Sequence, residues 1–152
     1  MNMQVLTQVA EVELIYKSKV KASQRPQIKS SKDAYEIFLA NWDENKIELI
    51  EEFKILLLNR NNKVLGIYEV SSGGITGTVA DPRLIFAVAL KASACAIILC
   101  HSHPSGNLKP SRPDDELTAK IKEGGKFLDI QVLDHLIVCT EGFYSYADQG
   151  LL

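Results

Sequence analysis

The chain has 152 residues, 46% hydrophobic and 24% charged, with a formal net charge of -2 and a pI of about 5.9. That length supports one domain with a proper core, and that balance belongs to a folded globular protein rather than a disordered tail. The mild acidity excludes the overall basic field that draws a protein to nucleic acid.

Polar and apolar residues alternate between Val9 and Val20, which predicts a strand with one wet face. Such a strand could pair across a homodimer. Residues 17–27 are polar, carry Pro26 and read as a connector. Ser30 or Ser31 caps a helix reaching about Trp42, with Tyr35, Phe38, Leu39 and Trp42 as its apolar stripe. A strand over residues 52–59 turns at Asn59-Arg60-Asn61-Asn62, because Asn tolerates left-handed backbone angles, and returns over residues 63–70. Ser71-Ser72-Gly73-Gly74 breaks that strand, and residues 75–79 resume it. The break lacks the Lys and spacing of a phosphate loop.

Asp81-Pro82 is an N-cap followed by proline at the first helical position, opening a helix to about Ala92 that carries Leu84, Ile85, Val88 and Leu90. The apolar run from Ala94 to Cys100 reads as a buried strand. A second long helix spans about Arg112 to Lys126, closed by Gly124-Gly125. Its lysines and acids are interspersed, as on a solvated face. Residues 131–133, 135–139 and 143–146 complete the strands. The order predicts one α/β domain with a mixed, largely antiparallel sheet packed between helices. Residues 1–47 form a strand-and-helix extension packing on a core of residues 48–152.

Cys95, Cys100 and Cys139 are an odd, sparse set, expected as small core residues in a reducing compartment. Met1-Asn2-Met3-Gln4 has no basic segment leading into an apolar core, and no apolar run approaches the roughly 18 residues that span a bilayer. A cytoplasmic protein without a membrane segment is the expectation.

The chemistry concentrates in residues 101–114, His-Ser-His-Pro-Ser-Gly-Asn-Leu-Lys-Pro-Ser-Arg-Pro-Asp, which hold two of the three histidines. Alternate side chains of a strand share a face, so His101 and His103 can aim at one point. Cys100 falls on the opposite face and is set aside as a ligand. Asp114 follows at a distance that lets the chain turn back. Two imidazoles and a carboxylate suit a catalytic zinc with an open fourth position for water. Ser111-Arg112-Pro113-Asp114 also reads as an ordinary helix start close to a capping box, and both readings can hold together. His135 is either a core residue, the favoured reading, or an outer partner of the site, and is left out of the ligand set.

His101-x-His103, seven residues, Ser111, two residues and Asp114 resembles the motif of the JAMM (MPN+) metalloproteases. His101-Ser102-His103-Pro104-Ser105-Gly106 with Leu133-Asp134-His135 is similar to the RadC branch of that family. The resemblance implies a JAMM/MPN-like, cytidine-deaminase-like fold and one zinc held by His101, His103 and Asp114. It implies Ser111 as oxyanion donor and a glutamate on an early strand as general base; Glu51 is favoured over its neighbour Glu52. The implied activity is that of a zinc metallopeptidase or isopeptidase acting on a peptide, isopeptide or protein. A DNA repair-associated factor or metal-dependent nuclease and a non-catalytic scaffold are the alternatives. Two departures stand out. Ser102 replaces the Asn usual between the histidines, and residues 1–48 are too short for the helix-hairpin-helix domain of full-length RadC proteins, which weakens a nucleic-acid role.

Overall fold

In the computed structural model, which describes residues 7–13, 15–73 and 79–152, five strands form one sheet. They are β1 (Glu52–Leu58), β2 (Val64–Ser72), β3 (Ala96–Ser102), β4 (Gln131–Cys139) and β5 (Gly142–Ser145), in the order β2-β1-β3-β4-β5. β3 and β4 are parallel, and the other neighbours are antiparallel. The helices are α1 (Ser31–Ala40), α2 (Pro82–Lys91) and α3 (Arg112–Leu128), with a short 3-10 turn at Ala22–Gln24. α3 lies between β3 and β4 in the chain, because a parallel pair needs a long crossover.

The two-residue period of the strands builds two cores. Phe53, Ile55 and Leu57 of β1 and Ile97 and Leu99 of β3 face Ile85, Phe86 and Ala89 of α2 and Ile121 of α3. The alternate residues Leu56, Leu58, Ile98 and Cys100 meet Ala34 and Phe38 of α1, with Trp42 just beyond it. Strands buried on both faces read as unbroken apolar runs, which is why β1 and β3 show so little alternation in sequence. Each buried Leu, Ile or Phe contributes about 1.5–3 kcal/mol of transfer free energy. The sheet packed between helices is therefore as expected.

The helix starts follow their local chemistry. The Ser30 oxygen accepts from Asp33 N at α1, and the Asp81 carboxylate accepts from Arg83 N at α2. Asn62 adopts φ 56° in the β1–β2 turn.

Several expectations need correction. The described residues between Val9 and Val20 form no strand, and Val9 and Val12 are 85% and 84% exposed. Alternation alone does not make a strand without a pairing edge. The start of β2 is instead met by the connector, through Val64 N to Pro26 O and a bridge between Gln27 and Lys63. β2 continues through Ser71 and Ser72 rather than breaking there. The predicted resumption over residues 75–79 lies, except for Val79, outside the described residues. The buried face of α2 is Ile85, Phe86 and Ala89, while Leu84 and Leu90 are exposed. Cys95 is exposed, because it precedes β3; Cys100 and Cys139 are buried.

Gly124 and Gly125 do not close α3. They lie inside it, and Asp129 caps its end in the left-handed conformation at φ 57°. Close approach explains them. A Cβ on Gly125 would stand 2.4 Å from the Ile130 carbonyl oxygen, and that peptide is pinned by Ile130 N donating to Gly125 O at 2.8 Å. Gly125→Ala is therefore expected to cost about 3 kcal/mol or more in urea unfolding. Gly124→Ala meets only the Phe86 ring, at 2.8 Å, and gains helix propensity of about 1 kcal/mol, so it should cost clearly less. Equal losses would contradict this packing.

Among the described residues, no helix is long and apolar enough to cross a membrane.

Candidate metal centre

The C-terminal end of β3 carries the first ligand candidate. Phe53, Ile55, Ile97 and Leu99 place one face of the sheet against α2 and α3, and His101 follows on that face. Its ring lies parallel to Phe53, with centroids 5.8 Å apart and planes 1° from parallel. His103 stands just past the strand, where its Nδ1 lies 2.6 Å from the Asn107 carbonyl oxygen. A carbonyl only accepts, so Nδ1 carries the proton and Nε2 is left as a lone pair.

Asp114 arrives from the first turn of α3. The Ser111 oxygen accepts from Asp114 N at 3.2 Å, and the Asp114 carboxylate accepts from Ser111 N at 2.8 Å. The capping box is complete, and it aims the carboxylate back at the histidines. Asp114 Oδ1 lies 3.2 Å from His101 Nε2, Oδ2 lies 3.5 Å from His103 Nε2, and the two imidazole Nε2 atoms are 3.0 Å apart. A tetrahedral zinc with bonds of about 2.0–2.2 Å sets its ligand atoms about 3.3–3.5 Å apart. The three donors therefore fit one such ion.

Glu51 completes the group. One ligand atom from each of Glu51, His101, His103 and Asp114 lies within 4.8 Å of all the others. Glu51 sits immediately before β1 and is only partly buried. Burial raises its carboxyl, the two imidazoles pull it down, and Asp114 raises it again, for a net upward shift. Burial also pushes Asp114 up, but pairing with the imidazoles of His101 and His103 whenever these carry a proton on Nε2, together with the hydrogen bond from Ser111 N, outweighs it and holds that carboxyl well below the usual range.

Glu52 points elsewhere. It is buried, one carboxylate oxygen has no hydrogen-bond partner among the described residues, and burial together with a hydrogen bond to Glu69 pushes it up to about 7. The sheet separates this proton-holding acid from the histidines, and it is absent from the four-residue group. In the unfolded chain Glu52 ionises near 4.5. The fold thus retains a proton that the unfolded chain releases between pH about 4.5 and 7, and stability should fall as pH rises through that window. Urea midpoints of wild type and Glu52→Gln should diverge in slope there, with the variant flatter. Parallel slopes would contradict the protonated state.

Sequence reasoning missed what holds Glu51 in place. The Ser102 hydroxyl accepts from Glu52 N at 3.1 Å and donates to Ile50 O at 3.3 Å, so one side chain clamps the peptides on both sides of Glu51. Gly73 N donates to Glu51 O at 2.8 Å. Ser102→Ala should destabilise the chain by about 1–3 kcal/mol, since it orphans a buried N–H, while zinc affinity stays within about twofold because Ser102 faces away from the ligands. Calorimetric zinc titration beside urea unfolding reads both. A large loss of affinity would contradict the separation of the two faces.

His135 is fully buried, one strand over from His101. Its Nε2 lies 2.8 Å from His101 Nδ1, and its Nδ1 lies 2.6 Å from Thr118 Oγ1, which donates to Asp114 O at 2.7 Å. Burial holds it well below the usual imidazole range. It is a core residue that touches a ligand candidate without joining the group. Thr118 stands four residues after Asp114, on the same helix face, and that spacing was the available signal. Asp134 is structural: its carboxylate accepts from Ser145 Oγ, Ala147 N and His135 N.

The comparisons with known proteins meet this geometry. A family model described as a RadC-like JAB domain matches residues 28–151. The chain belongs to the RadC-like JAB domain family. The match takes in α1 as well as the whole sheet. A UPF0758 protein of Flavobacterium johnsoniae is 46% identical over 125 residues, which is 82% of this chain and 53% of that protein. One from Symbiobacterium thermophilum is 44% identical over 103 residues, 68% of this chain and 44% of its own length. One from Clostridium perfringens is 38% identical over 148 residues, 96% of this chain and 63% of its own. The chain thus spans about half the length of the curated relatives it matches.

Proposed function

We propose that this RadC-like JAB domain is a zinc-dependent hydrolase that cleaves a peptide or isopeptide bond. The observation that carries this reading is the convergence of His101 Nε2, His103 Nε2 and the Asp114 carboxylate at 3.0–3.5 Å from one another, with a carboxylate oxygen of Glu51 in the same group.

A bound zinc would supply Lewis acidity, which lowers the pKa of a water from 15.7 to roughly 7. The residues of the chain do the rest. Glu51 takes a proton from the attacking water as the oxygen bonds to the carbonyl carbon. It returns that proton to the nitrogen as the C–N bond breaks, giving a carboxylate and a free amine. Ser111 uses its oxygen to accept from Asp114 N, which leaves its hydroxyl proton to donate to the charge developing on the carbonyl oxygen. One such donor is typically worth about 3 kcal/mol of barrier.

The test is zinc-loaded protein incubated with peptide and isopeptide conjugates in oxygen-18 water, read by mass spectrometry. One heavy oxygen in each new carboxylate is expected, abolished by a chelator and restored by zinc. Stoichiometric zinc with no cleavage of either bond class would favour a scaffold over an enzyme.

A further inference from the structure

We propose that His135 and Thr118 lock the tautomer of His101, keeping its Nε2 a bare lone pair for the cation. This rests on the metal reading of the site, to which it adds two positioning residues.

One buried chain of contacts fixes where each proton sits. Thr118 Oγ1 has a single proton and lies 2.7 Å from Asp114 O and 2.6 Å from His135 Nδ1. The carbonyl oxygen only accepts, and two oxygens at that separation need a proton between them. The Thr118 proton therefore belongs to Asp114 O, and His135 Nδ1 must be the donor to Thr118. In a neutral imidazole the other nitrogen is then an acceptor. His135 Nε2 faces His101 Nδ1 at 2.8 Å, so His101 Nδ1 donates and His101 Nε2 has no proton of its own.

The opposite end demands the same arrangement. A metal can take His101 only through Nε2, the atom that meets His103 and Asp114. That requires a proton on His101 Nδ1, hence an accepting His135 Nε2, hence a proton on His135 Nδ1. Two independent ends of the chain converge on one tautomer, and it is the Nδ1–H form of His135 that free imidazole side chains adopt less often.

Packing blocks the alternatives. His101 and His135 are 1% and 0% exposed, so water does not substitute for either partner. Tyr146 stacks on His135 with centroids 5.0 Å apart and planes 11° from parallel, while Phe53 covers His101, so neither ring turns over. Thr118 also ties the lock to the ligand helix, because it grips the backbone of Asp114 itself. A ligand imidazole whose other nitrogen is held in this way is oriented and made more basic.

Two measurements on the 152-residue chain test this. Imidazole nitrogen-15 NMR of chelator-treated wild type, at a pH where the imidazoles are neutral, should show His135 protonated on Nδ1 and bare on Nε2. Zinc titration should show Thr118→Val weakened about 10–100-fold, with Thr118→Ser near wild type. His135→Gln, whose amide oxygen can still accept from His101 Nδ1, should bind more tightly than His135→Leu. A proton on His135 Nε2, or undiminished zinc affinity in a folded Thr118→Val, overturns the proposal. Wild type with the expected tautomer but no zinc binding instead overturns the metal reading, and with it the purpose assigned to the lock.

Discussion

Zinc content is expected to fall from about one per chain to background when either His101 or His103 is replaced by alanine, and the two variants should differ in stability. His103 stands past the end of β3, partly exposed, with its ring anchored to the Asn107 carbonyl on the side away from the site. Its removal costs a ligand and little packing. His101 is 1% exposed, lies against Phe53 and partners His135. Its removal opens a cavity and leaves His135 Nε2 unpaired in the core, which adds about 2–4 kcal/mol of lost stability. Both should weaken zinc by about 10³-fold, above the ~10–100-fold that loss of an outer hydrogen-bond partner causes. Calorimetric titration and urea unfolding on the same samples check both. Equal stability losses would contradict the packing, and retained zinc would contradict the ligand assignment.

Glu51→Gln is expected to keep zinc bound and to lower turnover about 10²–10⁴-fold. Glutamine preserves the shape of the side chain but has no lone pair basic enough to take a proton from water. Glu52→Gln is the control, since Glu52 is buried away from the site and already holds a proton below about pH 7. It should leave turnover within about twofold, because it touches none of the reacting groups. Steady-state hydrolysis with zinc content measured on the same samples separates the two acids. Turnover surviving in Glu51→Gln and lost in Glu52→Gln would reverse the assignment.

The candidate metal ligands were legible in the sequence because each depends on a short-range rule. The i, i+2 spacing of His101 and His103 works at a strand end, and the pattern from Ser111 to Asp114 is read by the local geometry of a helix start. The layered fold was legible for the same reason, as runs, caps and turns. What escaped notice is long-range. Whether the residues between Val9 and Val20 pair with anything depends on which segment meets β2, a contact between distant parts of the chain. The grip of Ser102 on the peptides flanking Glu51 spans 50 and 52 residues, and that of His135 on His101 spans 34. Gly124 and Gly125 illustrate the same divide: their position near a helix end suggested a cap, but the atoms that need them glycine belong to Phe86 and Ile130.

The most direct test of the metal centre is anomalous scattering at the zinc edge from crystals of the zinc-loaded chain. One peak is expected, within bonding distance of His101 Nε2, His103 Nε2 and the Asp114 carboxylate, with the Glu51 carboxylate near but no protein atom filling the fourth position. A peak bound elsewhere, no peak at all, or a protein atom in that fourth position would contradict a hydrolytic zinc site here.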